Sequence, residues 1–141
     1  MAATVENKLL AVVRVRGTNN VRESISHTLD RLNLKRINNL SFVFGTKSNL
    51  GMVRKCNDYI TYGEVPQDLV EKLLAKKGLK PTGSVSELVS GKKTPKDLGI
   101  KMPLHMKPPR RGYRDIKAGF NAGGDLGYRG EKIMELVKRM M

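Results

Sequence analysis

The residues of this chain that could do chemistry crowd into Met102–Gly130, MPLHMKPPRRGYRDIKAGFNAGGDLGYRG, where six Lys and Arg stand against two acids. Cations at this density neutralise phosphate oxygens, and Arg adds a planar fork that grips two of them at once. Pro108 and Pro109 bar a helix through the most basic part, since proline lacks the backbone donor and its ring clashes with the preceding turn. Tyr113, in RRGYR, sits among cations and outside any apolar pattern, the setting of a ring that stacks on a base. Arg129 closes a glycine-rich run whose bare amides suit an anion. The candidates for anion contact here are Lys107, Arg110, Arg111, Tyr113, Arg114, Lys117 and Arg129. With so little apolar material to bury, the segment is expected to be loose alone in water and ordered by a polyanion.

Catalytic chemistry has few materials. His27, His105 and Cys56 are far apart in sequence and show no zinc-ligand spacing. Cys56 follows Val53 at helical spacing and reads as a small core hydrophobe. The carboxylates read as helix caps and surface charge. The run Gly123–Gly130 lacks the Lys-Ser/Thr ending of a phosphate-binding P-loop. Phe42 and Phe44 are expected in the core, because the segment around them does not carry the RNA-recognition-motif signature. The expectation is therefore no catalytic residue, no metal, no cofactor and no small-molecule substrate.

The whole chain agrees with its basic segment. Lys and Arg number 27 against 13 Asp and Glu, a formal net charge of +14 in 141 residues. Charge of this size speaks about partners, and nucleic acid is the first of them. The length fits one domain. A single cysteine excludes an internal disulfide and suits a reducing compartment. The longest clean apolar run, Leu9–Val13, is far short of a membrane span. A cytoplasmic protein with no membrane partner is expected.

The elements that position these groups follow from periodicity. Residues 1–8 are expected to be a flexible N-terminus. In residues 9–63, Leu9, Ala11, Val13 and Val15 share one face of a strand, with Leu10, Val12, Arg14 and Arg16 on the other. Asn20 and Glu23 suggest a capping box before Val21, Ile25, Thr28, Leu29 and Leu32 at helical spacing. A strand near Asn39–Gly45, a helix capped by Ser48, and a strand at Tyr59–Tyr62 complete a β-α-β-α-β order. Residues 64–100 form a helical insertion. One helix opens after Pro66 with Leu69, Val70, Leu73 and Leu74 inward and stops at Gly78; another is capped by Ser84 and Glu87 and stops at Gly91. Four acids balance four bases between Glu64 and Gly91, so this pair is assigned to packing or protein contact. Residues 101–141 hold the basic arm and a final helix from about Glu131, with Ile133, Met134, Val137 and Met141 on its docking face.

Three stretches, RVRGTNNVRESISHTLDRLNLKRINNLSFVFGT, YITYGEVP and GFNAGGDLGYRGEKIMELVKRMM, resemble the family of large-subunit ribosomal proteins called L-thirty in archaea and bacteria and L-seven in eukaryotes. The last stretch is similar to the archaeal and eukaryotic branch. The resemblance implies an α+β, ferredoxin-like core, a three-stranded antiparallel sheet with helices on one face. It implies a structural, non-enzymatic role, with large-subunit rRNA as partner, 5S rRNA nearby and ribosomal proteins as neighbours. It also implies that Arg14, Arg16, Arg22, Lys35, Arg36, Lys47 and Arg54 surround an RNA-facing side of the core, while Lys107, Arg110, Arg111, Arg114 and Arg129 thread along rRNA. Two other classes share some of these features: a free RNA- or DNA-binding regulator, and an acylphosphatase-type hydrolase, whose phosphate loop is missing here.

Overall fold

The computed structural model describes residues 6–80 and 82–141, so Met1–Val5 of the expected flexible N-terminus lie outside the described residues. β1 (Leu9–Arg14) is buried at every position. β2 (Asn39–Phe44) and β3 (Ile60–Glu64) flank it antiparallel, with Leu9 opposite Phe44, Val13 opposite Leu40, and Arg14 opposite Ile60. Two further short strands come from the basic C-terminal region. β4 (Leu104–His105) pairs antiparallel with β2, and β5 (Gly127–Tyr128) pairs parallel with β3. The sheet is five-stranded in the order β4-β2-β1-β3-β5, not the three-stranded antiparallel sheet expected, because β4 and β5 extend its edges and β5 runs parallel to β3.

The helices also depart from expectation, lying on both faces. α1 (Glu23–Arg31) and α2 (Lys47–Lys55) cover one face, packing Leu29, Leu50 and Val53 on Leu10, Val12, Val43 and Ile60. α3 (Gln67–Lys76), α4 (Val85–Ser90) and α5 (Ile133–Met140) cover the other, on Leu9, Ala11, Val13, Leu40 and Phe42. The reason lies in β1, where LLAVV is apolar at both parities. A strand with two apolar faces needs cover on both, at about 1.5–3 kcal/mol for each Val or Leu removed from water. Cys56 belongs to the α1–α2 core as expected.

Local signals hold with small shifts. α1 begins at Glu23 after Arg22, which makes no side-chain cap, and Asn20 instead takes a left-handed turn at φ 58°. α2 is capped by Thr46, whose hydroxyl accepts from the Asn49 amide, rather than by Ser48. Ser84 caps α4 through the Ser86 amide, and Glu87 pairs with Lys93 instead of reaching back to the cap. A short 3₁₀ turn at Gly130–Lys132 delays α5 to Ile133, and its buried face is Ile133, Leu136, Val137 and Met140.

The basic segment expected to be loose is a strap. Its two ends join opposite edges of the sheet as β4 and β5, and between them it passes the end where β1 stops and β2 and β3 start. Strand addition satisfies edge donors and acceptors without asking for apolar side chains, which is why composition alone reads as disorder. The strap returns to the core over Gly63, paired with Ala11. A Cβ on Gly63 would overlap the Gly130 carbonyl oxygen and stand 2.8 Å from the Ile133 side chain. Gly63→Ala is expected to lose about 1–3 kcal/mol or more by overpacking, seen as a lower urea midpoint with an unchanged slope.

Candidate nucleic-acid interface

Asn38 organises the end of the sheet that the strap crosses. It sits at φ 65°, a conformation that asparagine tolerates better than most residues. Its amide donates to the Arg14 carbonyl at 2.9 Å and its carbonyl accepts from the Met106 amide at 3.1 Å. Its side-chain oxygen accepts from the Tyr113 hydroxyl at 2.6 Å. Next door, Asn39 Oδ1 meets His105 Nδ1 at 2.9 Å, while Lys77 Nζ donates to the His105 carbonyl. The C-terminal helix holds the middle of the strap: the Arg110 amide donates to the Arg139 carbonyl, and Arg139 Nη1 donates to the carbonyls of Arg110 and Gly112.

The returning leg closes on Asp125, which is 1% exposed. One carboxylate oxygen accepts from Arg129 Nη2 at 2.7 Å, and the other accepts from the Arg114 amide. Arg129 Nε donates to Thr61 Oγ1 at 2.9 Å, and Thr61 passes a hydrogen bond to the Gly127 carbonyl at 2.9 Å. Gly124 is pressed so closely on Ala118 that a Cβ there would overlap the Ala118 carbonyl.

This geometry sorts the cations. Arg14 and Arg129 are corrections to the expected anion contacts, because both guanidinium groups lie inside the protein, 4% and 7% exposed as residues. Arg14 donates to the carbonyls of Leu34 at 2.7 Å, Arg16 at 3.0 Å and Gly17 at 3.2 Å, clamping the loops on either side of α1. Burial pulls its pKa below the usual arginine range, and the charge of Asp30 pushes back. Tyr113 is half-buried: its hydroxyl donates to Asn38 and its ring packs against the core. Burial, with the charge of Asp125, pushes its phenol up to about 12.

The remaining candidates face solvent. Arg22, Lys35, Arg36, Arg54, Lys107, Arg110, Arg111, Arg114 and Lys117 are exposed, and Arg16 is half-buried with its guanidinium 5.3 Å from the Tyr59 ring centre. Lys35 and Arg36 precede Asn38, so the loop that carries them meets the strap at one end of the sheet. Arg22 lies in the loop leaving β1 at this end, and Arg54 in the last turn of α2 before β3. Lys47 stands apart, at the start of α2 beyond the far end of β2. Among the described residues, Arg129 alone of these cations forms an ion pair with a carboxylate. Sequence reasoning missed Asn38 and Arg139 as organisers of this end. The Asn38-Asn39 pair is a turn signal, but Arg139 carried none for its contacts with the strap.

Among the described residues, no group of three or more His, Cys, Asp or Glu is placed to hold a metal, and no helix is long and apolar enough to cross a membrane. The architecture defines a basic α+β protein with a doubly covered sheet and, at one end of it, exposed cations that form no ion pair among the described residues. Residues 10–60 match the family model described as Ribosomal protein L30p/L7e. Large ribosomal subunit protein uL30 of Methanobrevibacter smithii is 40% identical, the match covering 94% of this chain and 100% of that protein. The uL30 of Nanoarchaeum equitans is 42% identical over 93% of this chain and 97% of its own length. That of Methanococcus maripaludis is 38% identical over 93% and 98%. The chain belongs to the L30p/L7e family, the uL30 proteins of the large ribosomal subunit. Its role is structural and not enzymatic.

Asp125→Ala strands a buried guanidinium and is expected to cost about 3–5 kcal/mol, read by urea denaturation. The Tyr113 phenol ionises near 10 when unfolded and at about 12 when folded. The folded state therefore holds the proton longer, so stability is whole below pH 10 and falls as pH rises toward 12. Tyr113→Phe should remove part of that fall, the Cys56 thiol, pushed up by burial to about 11, supplying another part. At neutral pH the same variant should lose about 0.5–1.5 kcal/mol with the hydrogen bond to Asn38.

Proposed function

We propose that the chain binds large-subunit rRNA with the end of the sheet that the strap crosses, near 5S rRNA and among other ribosomal proteins of a cytoplasmic ribosome. One observation carries this reading. The fold gathers exposed cations from segments as distant as Asn38 and Tyr113, 75 positions apart, and pairs none of the exposed candidates with a carboxylate among the described residues. A fold that crowds like charges without compensation is suited to a partner that brings the opposite charge.

Arg16, Lys35, Arg36, Arg110, Arg111 and Arg114 are the leading contacts, with Arg22, Arg54, Lys107 and Lys117 at the margin. Arg14 and Arg129 hold the surface in shape from inside. Recognition rests on backbone phosphates and the shape of folded RNA, since cations on loops around a sheet end cannot enter the deep, narrow major groove of A-form RNA. The 9–63 core and the 101–141 region share this surface. The helical pair of residues 66–91, within the charge-balanced stretch Glu64–Gly91, faces protein neighbours.

Binding to large-subunit rRNA is expected to weaken steeply with salt. Replacing Lys35, Arg36, Arg110 and Arg111 together by Ala should flatten the plot of log affinity against log salt by about 0.7–0.9 for each phosphate that is no longer neutralised. Stability should stay within about 0.5 kcal/mol for each of these exposed sites. Gel-shift titrations across a salt series check the first and urea melts the second. An unchanged slope would move the interface elsewhere.

A further inference from the structure

We infer that Phe120, with Arg114 and Lys132 beside it, is a stacking site for an unpaired nucleobase, an inference that rests on the RNA-binding reading above. Phe120 opens a 3₁₀ turn in the glycine-rich return of the strap, on the β5 side of the sheet. Phe120 is half-buried as a residue, and three cations lie over its ring. The Arg129 guanidinium lies 4.8 Å from the ring centre, Lys132 Nζ 5.4 Å, and the Arg114 guanidinium 5.9 Å.

Packing alone does not account for this gathering. An aromatic face attracts each cation weakly, but three of them repel one another, and one carboxylate serves the group. Asp125 has both oxygens engaged, by Arg129 Nη2 and by the Arg114 amide. The charges of Arg114 and Lys132 are left without an ion pair among the described residues. Arg129 differs from the other two. Buried and bonded to Thr61 and Asp125, it is a fixed support for the ring.

The backbone that carries the ring is held by bonds within the chain. The Phe120 amide donates to the Leu126 carbonyl at 2.7 Å, and the Gly123 amide donates to the Phe120 carbonyl at 3.2 Å. A ring on such a backbone loses less freedom on binding. A lone phosphate would use the cations and leave the ring idle, and an acidic peptide has no flat π face to lay on it. A paired RNA helix keeps its bases stacked away from side chains. A single-stranded nucleotide uses every part: base on the ring, phosphates toward Arg114 and Lys132.

The test uses the full chain with a short single-stranded RNA carrying one 2-aminopurine, a blunt RNA duplex, and an oligoglutamate competitor. The wild-type chain is expected to quench 2-aminopurine on binding. Phe120→Leu should abolish the quench and weaken single-strand binding about tenfold, with duplex binding unchanged, and Phe120→Tyr should retain both. The chain has no tryptophan, so Phe120→Trp gives a second readout that keeps the ring: its emission should fall on addition of unlabelled single-stranded RNA. Unchanged Trp emission at saturating RNA overturns the inference, as does equal binding by the Leu variant. Duplex binding without a quench overturns this site and leaves the RNA-binding reading standing. Binding to neither RNA overturns both. Displacement by oligoglutamate as effective as by RNA assigns the site to an acidic protein and overturns it too.

Discussion

A strand with no polar face cannot lie at a protein surface, and β1 is such a strand. Leu9, Ala11 and Val13 point to one side, Leu10 and Val12 to the other, and all five are essentially removed from water. Covering one side takes α1 and α2, which the first half of the chain supplies. Covering the other takes α3, α4 and α5 from the second half. The 64–100 helices and the C-terminal helix are therefore part of one core with the sheet. A β-α-β-α-β unit cut at residue 63 would leave Leu9, Ala11, Val13, Leu40 and Phe42 facing solvent.

The same constraint explains why the chain can carry a long basic strap without a hydrophobic reason for its path. With both faces of the sheet taken, the edges of β2 and β3 are what remain, and their unpaired amides and carbonyls take up short strands of any composition. β4 and β5 do this with two residues each. Between these anchors the strap is tied mainly by backbone groups: the Met106 amide on Asn38, the Arg110 amide on Arg139, the Asp125 amide on Asp115. His105, Tyr113, Asp125 and Arg129 add side-chain ties, while most of its other cations point outward.

Much of this was legible in the sequence, for reasons that also mark where legibility stops. The stripe Leu69, Val70, Leu73 and Leu74, the strand alternation of β1 and the stop at Gly91 are local, and each is where spacing predicts it. Arg14 and Arg129 were misplaced because their fate is decided by partners far away in sequence. Arg14 is buried because the Leu34 carbonyl, 20 positions on, lies within its reach. Arg129 is buried because Thr61, 68 positions back, offers its hydroxyl beside Asp125. A guanidinium that clamps loops and one that meets a phosphate are the same residue type in the same kind of basic run. Only the tertiary fold separates them. The expectation of helices on one face fails on a local signal, since LLAVV is apolar at both parities and calls for cover on both.

Separating the cations into these two groups has an energetic consequence. Buried arginines bonded to carbonyls and a carboxylate are screened little by salt, whereas exposed ones lose most of their long-range interaction within a Debye length of about 8–10 Å at physiological strength. The fold rests on the first group and on apolar burial. The exposed cations without an ion pair among the described residues make up the second, and their mutual repulsion acts against the folded chain only weakly in salt. Ionic strength thus reaches the interactions of the exposed cations and largely spares the architecture. The covered sheet, the Asn38 junction and the Asp125–Arg129 pair hold the strap and its outward cations in register.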